Sequence, residues 1–210
     1  MRYFGNSLLI SGVSVVISIV MISMSAYVVA RMEFKGKGLV NVLLYSTMFI
    51  PATALTYPVY NMINRMKLYD TRSALILIYS CSGIAVSFFV IKNYYTNIPK
   101  ELEEAARIDG CGYMQTWAKV IFPIARPGIM TAAVLAFLNN WNEYYWASLV
   151  MIDRNKLTVP ALLSTFTTSF RTNYNGLFSA MVIIILPPII LYCIFSKFFV
   201  EALSGGAVKG

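Results

Sequence analysis

The chain has 210 residues, of which 58% are hydrophobic and 12% are charged, whereas about 25% of the residues in an ordinary soluble domain are charged. It contains no histidine, which excludes histidine-dependent hydrolase triads and most zinc sites, so we expect no catalytic residue and no metal site. Its net charge of +8 comes from Lys and Arg residues spread over short loops, which is typical of membrane anchoring and argues against nucleic-acid binding.

Charged residues are segregated along the chain. Five segments together hold one charge in 125 residues, whereas the other 85 residues hold 25; these segments are 3–30, 38–64, 73–91, 127–152 and 172–196. A helix needs about 20 apolar residues to cross a hydrocarbon core of about 30 Å. We therefore predict an all-α, polytopic transmembrane bundle that forms a single domain over 1–210, with spans at about 7–30, 39–61, 73–91, 127–150 and 177–197.

Lys and Arg residues are more numerous on one side of the five predicted spans, by ten to seven. Because loops rich in Lys and Arg stay in the cytoplasm, we assign that side, with residues 31–38, 92–126 and the tail from 197, to the cytoplasm. The N-terminus then lies outside and the C-terminus inside.

Prolines predict bends in two of the spans. Pro51 and Pro58 lie in the second span and Pro187-Pro188 in the last. Proline removes a hydrogen bond from the helical ladder and kinks the helix. The bends serve either as pivots or as static kinks that shape the bundle.

The chain contains three cysteines: Cys81, Cys111 and Cys193. They have no CxxC spacing, and two of them lie in predicted spans. We predict that they are small buried apolar residues with no redox role.

The long interval 92–126 has regular structure of its own. Pro99 at a first helical position, followed by three glutamates near the positive end of the helix dipole, predicts a short helix that Gly110 stops. A second short helix follows, with an apolar face of Tyr113, Trp117, Val120, Ile121 and Ile124. The first helix either fits a groove on another protein, because Ala105 and Ala106 allow close approach, or lies on the membrane surface.

The fourth predicted span carries Glu143, the one charge inside the five segments. On a continuous helix, Asn139, Asn142, Glu143 and Trp146 share a face, and a carboxylate is costly against lipid, so this face should line the bundle interior or water. Amide, carboxylate and aromatic groups bind sugars, which makes these four residues a candidate substrate path. The alternative is an aromatic belt at the outer interface, with Glu143 reaching headgroup water. The belt would consist of Trp141, Tyr144, Tyr145 and Trp146.

Residues 104–123 resemble the signature loop of ABC-importer permeases, whose consensus is Glu-Ala-Ala, three residues, Gly, nine residues and Ile-x-Leu-Pro. The chain has Glu104-Ala105-Ala106, Gly110 and Val120-Ile121-Phe122-Pro123 at the same spacing. The resemblance implies a cytoplasmic coupling helix that docks in a cleft of an ATPase. Its expected coupling residues are Glu104, Ala105, Ala106, Asp109, Gly110 and Pro123.

Nearly the whole chain is similar to the carbohydrate-uptake, maltose-type branch of these permeases. The similarity is carried by Asn6-Ser7-Leu8, Ile98-Pro99-Lys100-Glu101-Leu102-Glu103-Glu104, Trp141-Asn142-Glu143 and Gly205-Gly206-Ala207-Val208-Lys209-Gly210. It implies a sugar or oligosaccharide permease in a bacterial or archaeal cell membrane, surrounded by lipid. The implied partners are a second permease subunit, two cytoplasmic ATPase subunits and an extracytoplasmic solute-binding protein.

ATP and Mg are expected on the partner ATPase, since this chain has no Gly-x-x-x-x-Gly-Lys-[Ser/Thr] phosphate loop. We therefore expect neither enzyme activity nor a bound cofactor in the chain itself. Permeases of this branch have six spans, and the first segment here is similar to their second, so the chain either starts late or is a shortened permease. Two alternatives remain: a permease for polyamine or another small solute, and a stand-alone secondary transporter or channel.

Overall fold

The computed structural model describes residues 2–166 and 174–207, with the side chains of Ser164 and of 197–207 left out. Arg171, Lys209 and the last residues of the glycine-containing tail, which enter the charge count and the family resemblance, lie outside the described residues. Within the described ranges the chain forms helices and no strand, which confirms the predicted all-α fold.

Eleven α-helices follow one another along the described chain. Those before the coupling segment, which we define as residues 92–126, are α1 (Arg2–Arg31), α2 (Lys37–Thr47), α3 (Thr56–Arg65), α4 (Arg72–Ser80) and α5 (Ile84–Asn97). The coupling segment contains α6 (Glu101–Ile108) and α7 (Tyr113–Ile124). The remainder is α8 (Arg126–Trp141), α9 (Tyr145–Val150), α10 (Val159–Leu162) and α11 (Tyr174–Ala207).

Two helices are each long and apolar enough to cross a membrane: α1, and α11 over Tyr174–Ser196. Three pairs of shorter helices pass the same test together, namely α2 with Ala52–Arg65, α4 with α5, and α7 with α8. If each pair is one span, the described residues provide up to five spans, by length and composition.

The chain divides into two compact units, each with its own contacts. The first comprises Met1–Ile17, Pro51–Ser82 and Ala136–Ile194, and the second comprises Ser18–Ile50, Gly83–Leu135 and Phe195–Gly210. The buried cluster of the first unit draws on α1, α3, α4, α9 and α10; its members are Ile10, Ile63, Ala74, Leu75, Tyr79, Trp146, Ala147, Val150, Met151, Leu157 and Ala161.

Small polar residues let α1 approach its neighbours in the first unit. Ser14 donates to the carbonyl of Ile76 at 3.2 Å, and Ser80 donates to the carbonyl of Ser14 at 3.4 Å. Near the start of α1, Asn6 donates to the carbonyls of Asn155 and Leu157 at 2.9 and 3.1 Å. Serine side chains allow close helix packing in apolar surroundings because they are small and find backbone partners.

The prediction of one continuous helix over 127–150 is wrong. α8 ends at Trp141 and α9 begins at Tyr145, so Asn139, Asn142, Glu143 and Trp146 do not share one helical face. The physical reason is Glu143 itself. Its carboxylate accepts the backbone N–H groups of Trp146 at 2.8 Å and Ala147 at 3.1 Å, and these bonds satisfy the first turn of a new helix.

The bend predicted at Pro51 is confirmed as a break between two helices. Helix is interrupted between Thr47 and Ala52, where Pro51 lies. Pro58 lies in the first turn of α3, where its missing N–H leaves no helical hydrogen bond unmade. α11 continues as helix through Pro187 and Pro188.

The predicted burial of the cysteines is also wrong. Cys81 and Cys193 are exposed and Cys111 is half-exposed. In a chain with large apolar outer faces, a small apolar residue need not pack inside the same chain, because lipid accepts it equally well.

The helix, glycine turn and helix predicted for the coupling segment are confirmed, with shifted limits. α5 extends to Asn97 and α6 begins at Glu101 instead of Pro99, because Ile98, the residue before the proline, is extended as such residues usually are. Gly110 has φ +80°, a left-handed conformation that favours glycine at the end of a helix.

Candidate functional site

Helix α6, which the family resemblance predicts to be a coupling helix, has two different faces. Glu103 and Ala106 are buried, whereas Glu101, Glu104 and Ala105 are exposed. The exposed surface of α6 and the start of α7 also contains four apolar side chains, of which Ile108 is 87% exposed; the others are Leu102, Tyr113 and Met114. An exposed apolar patch with acidic neighbours is typical of a protein contact.

An ion pair anchors the buried face of α6 to the end of α1. Arg31 Nε lies 2.8 Å from Glu103 Oε1, and the two side chains are 4% and 9% exposed. The Arg31 guanidinium also donates to the carbonyl of Ile98. Removing one partner of a buried pair leaves the other charge buried without its counter-ion, which is costly, so loss of either residue should weaken the contact between α6 and α1.

A second anchor lies two turns earlier on α1. Ser23 Oγ and Tyr95 Oη are 2.5 Å apart, and the indole N–H of Trp117 donates to both at 3.3 Å. The Tyr27 ring packs edge-on against the Tyr95 ring between the two anchors. Ser23, Tyr27 and Arg31 therefore form one face of α1 at i, i+4 and i+8.

Sequence reasoning missed this face of α1, although the four-residue spacing of two polar side chains and a tyrosine was available as a signal. It had placed Trp117 only on the apolar face of the second short helix. Thr116 and Ile121 are five positions apart and both buried. A π-type turn at Trp117–Ile121 within α7 accounts for this spacing, which an ordinary α-helix does not predict.

The expected coupling residues fall into two places. Glu104, Ala105, Ala106, Asp109 and Gly110 lie together on α6 and the turn that ends it; all are exposed except Ala106, at 5%. Pro123 lies in α7 and is exposed. The turn between the helices is held in part by Arg107, whose guanidinium lies 5.1 Å from the centre of the Tyr113 ring.

Two of the candidate substrate-path residues are held by the first unit's own structure. Besides the two backbone N–H groups of α9, the Glu143 carboxylate accepts the hydroxyl of Tyr79 at 2.7 Å. Trp146 is buried in the same cluster, at 8% exposure. Asn139 is exposed and donates to Ser82 Oγ at 3.3 Å.

The fourth candidate, Asn142, lines a cavity of about 650 Å³ in the first unit. Tyr144, from the same break between α8 and α9, also lines it, and the other lining residues are Pro160, Leu163, Leu177, Met181 and Ile184. Tyr144 had been placed in the alternative aromatic belt, so sequence reasoning did not connect it with a substrate.

A charged cluster joins two loops of the first unit. Asp70 Oδ1 accepts the backbone N–H groups of Ile152 and Asp153, each at 3.0 Å, and Oδ2 lies 3.0 Å from Lys156 Nζ. The N–H of Asp153 is the main cause that lowers the pKa of Asp70, with Lys156 and Ile152 acting in the same direction. The bond to Asp70 correspondingly raises the pKa of Lys156.

No group of three Cys, Asp or Glu side chains within the described ranges is placed to hold a metal ion.

Comparison with known proteins shows which family of proteins the chain resembles. A family model described as "binding-protein-dependent transport system inner membrane component" matches residues 18–205. The chain is similar to the arabinooligosaccharides transport system permease protein AraQ of Halalkalibacterium halodurans, with 36% identity over 99% of this chain and 74% of that protein. It is also similar to the trehalose transport system permease protein SugB of Mycobacterium tuberculosis, with 36% identity over 98% and 76%.

A solved structure shares the fold. It belongs to a bacterial ABC transporter involved in the import of the acidic polysaccharide alginate, and it matches with a TM-score of 0.81 at 24% identity, over 94% of this chain and 74% of that chain. At this identity the likeness concerns the arrangement of the helices.

Proposed function

This chain belongs to the family of binding-protein-dependent transport system inner membrane components, and we propose that it is a permease subunit of an ATP-driven importer for a sugar or oligosaccharide. It is a membrane protein and a transport component. The sugar class is supported by the names of its relatives, which transport arabinooligosaccharides and trehalose.

The observation that carries the coupling role is the two-faced α6. Its exposed face, with Glu104, Ala105 and Ile108, docks in a cleft of a cytoplasmic ATPase. Its buried face holds α1 through Glu103. A helix that is free on one side and fixed on the other transmits a partner's movement into the membrane helices, because packed elements move as bodies.

In the proposed importer, the other steps of transport belong to partner subunits. Two ATPase subunits bind ATP and Mg and hydrolyse the nucleotide, a second permease subunit completes the path, and a solute-binding protein delivers the sugar from outside. The coupling segment and the C-terminus are cytoplasmic, as the ten-to-seven excess of Lys and Arg on that side supports. The chain crosses the cell membrane several times.

The substrate path passes the break between α8 and α9. Asn139 and Asn142 are exposed there, while Glu143 and Trp146 support the local structure. Polar groups inside a membrane domain face its interior or water because contact with lipid is costly.

The test is co-purification of the importer from its native membrane through a tag on this chain. We expect an ATPase to purify with it, and Glu104→Lys or Gly110→Pro to abolish this association. Glu33→Lys is the matched control, since Glu33 is an exposed glutamate on the same predicted side, outside the motif. Uptake by the chain alone, without an ATPase or ATP, would contradict the proposal and favour a secondary transporter or channel.

A further inference from the structure

We propose that the cavity beside the break between α8 and α9 is a binding subsite for one sugar unit, with the Tyr144 ring and the Asn142 amide as its contacts. This inference rests on the proposed function and deepens it. The inference distinguishes the residues that contact the sugar from the residues that hold those contact residues in place.

The break provides the polar side of the cavity. Asn142 Nδ2 donates to the carbonyl of Leu138 at 2.9 Å, which orients the amide and leaves its oxygen to accept a hydrogen bond from a ligand hydroxyl. Tyr144, two residues on, is 45% exposed and lines the same cavity. Its ring offers a flat apolar surface for a sugar ring and a hydroxyl for hydrogen bonding.

The facing wall is apolar. Leu177, Met181 and Ile184 lie on successive turns of α11, and Pro160 and Leu163 close the side. A mostly apolar cavity with a few convergent polar groups is the usual composition of a small-molecule site, and about 650 Å³ lies within the usual range of volumes.

Two residues that do not line the cavity hold its walls in place. The indole N–H of Trp141 donates to the carbonyl of Ile184 at 3.0 Å, which ties the α11 wall to the end of α8. Glu143 caps α9 and takes the Tyr79 hydroxyl, which keeps the helix broken between Asn142 and Tyr144. In the tripeptide Trp141-Asn142-Glu143, only the middle residue faces the ligand.

The chemistry of the walls favours a sugar over a helix of a partner protein. An apolar helix packed against the break would bury the Asn142 amide oxygen without a donor, which is costly. A sugar supplies hydroxyl donors to the amide and an apolar ring face to Tyr144. Irregular backbone within a membrane domain is likewise tolerated where it lines a cavity, as in the broken helices of other transporters.

The experiment measures protection of single cysteines in the complete importer in lipid nanodiscs. Cys81, Cys111 and Cys193 are first replaced by alanine, and Asn142→Cys, Tyr144→Cys or Tyr145→Cys is then introduced. Tyr145 is the matched control because it is 40% exposed, does not line the cavity and pairs with Thr56. The sugar is whichever of trehalose, maltose and arabinotriose the importer takes up, and the probe is a small thiosulfonate reagent.

We expect the sugar to slow labelling at positions 142 and 144 about tenfold when its concentration is about ten times its dissociation constant, and to leave position 145 unchanged. In parallel, Tyr144→Ala should raise the KM for uptake about tenfold, as expected for the loss of one aromatic contact. Tyr145→Ala should leave the KM unchanged.

Equal labelling rates with and without the transported sugar would overturn the inference. So would cysteines at 142 and 144 that never react in the complete importer, because another subunit then covers the cavity. Both results leave the ATPase association of the proposed function intact. Absence of the ATPase from the purified importer would reject the proposed function and this inference with it.

Discussion

Arg31, in the last turn of the 30-residue helix α1, is paired with Glu103 of the coupling helix, and neither side chain is more than 9% exposed. The two residues are far apart in the sequence and bring the coupling helix against α1. Glu104, the next residue, is exposed. Adjacent glutamates therefore lie in different surroundings: the Glu103 carboxylate is paired within the chain, and the Glu104 side chain is exposed.

The first prediction separates these two glutamates. Glu103→Ala leaves Arg31 buried without its carboxylate, so we expect a loss of about 3–5 kcal/mol in stability, measured by thermal unfolding of the purified importer. Glu104→Ala, the matched control, should change stability by about 0.5 kcal/mol or less. Exchange of the charges, Arg31→Glu with Glu103→Arg, should recover part of the loss. Equal stability of the two single variants would contradict the anchoring role.

The second prediction concerns Glu143. Glu143→Ala removes the carboxylate that accepts the first N–H groups of α9 and should destabilise the chain by about 0.5–2 kcal/mol. Because Glu143 also holds the walls of the proposed subsite, the KM for sugar should rise together with the loss of stability. Tyr79→Phe removes a donor from the carboxylate and should act in the same direction. Uptake assays and thermal unfolding of each variant provide the measurement. A raised KM in Glu143→Gln with unchanged stability would instead place Glu143 in contact with the sugar.

The third prediction concerns close packing at Gly128. A Cβ built at this position would lie 2.2 Å from the Tyr94 ring, so Gly128→Ala should destabilise the second unit by about 1–3 kcal/mol through overpacking. Gly12→Ala is the matched control, since Gly12 also lies within a helix and has open space around its Cβ position. That control should be neutral or stabilising by up to about 1 kcal/mol. Addition of Tyr94→Ala to Gly128→Ala should relieve the clash; persistent destabilisation would show another cause.

The fourth prediction is a pH window for the loop cluster of Asp70 and Lys156. Because the pKa of Asp70 is lowered in the folded chain, its stabilisation is present above the unfolded value of about 3.9 and is lost as the pH falls through the folded pKa. The raised pKa of Lys156 gives the opposite limit: its contribution is present below about 10.4 and is lost as the pH rises through the folded pKa.

Amide hydrogen exchange at Ile152 and Asp153, expressed as protection relative to the free peptide, measures the acid limit. Protection should fall at acid pH in the natural chain. In Asp70→Asn, the side chain still accepts the N–H bonds but does not titrate. The protection of these amides should therefore be lower at neutral pH and should not change as the pH falls. Parallel acid curves for the two proteins would contradict a role for the Asp70 charge.

Much of the local organisation was predictable from the sequence. The segregation of charge gave the helical, membrane-spanning class, because the cost of burying charge in hydrocarbon acts on each segment separately. The signature from Glu104 to Pro123 and the glycine at 110 gave the helix, turn and helix of the coupling segment, since caps and turns depend on neighbouring residues. Limits such as the start of α6 shifted because a proline also constrains the residue before it.

The contacts that organise the candidate sites were not predictable in the same way. Hydropathy makes 127–150 look like one helix, and only the placement of Tyr79 and the N–H groups of α9 around Glu143 shows why it breaks. The same break puts Asn142 and Tyr144 in one cavity, although they do not share a helical face. The sequence alone determined which segments are apolar enough to cross a membrane and which loop carries the signature motif. Tertiary packing decided which polar groups meet, because a buried carboxylate must find its donors wherever the folded chain places them.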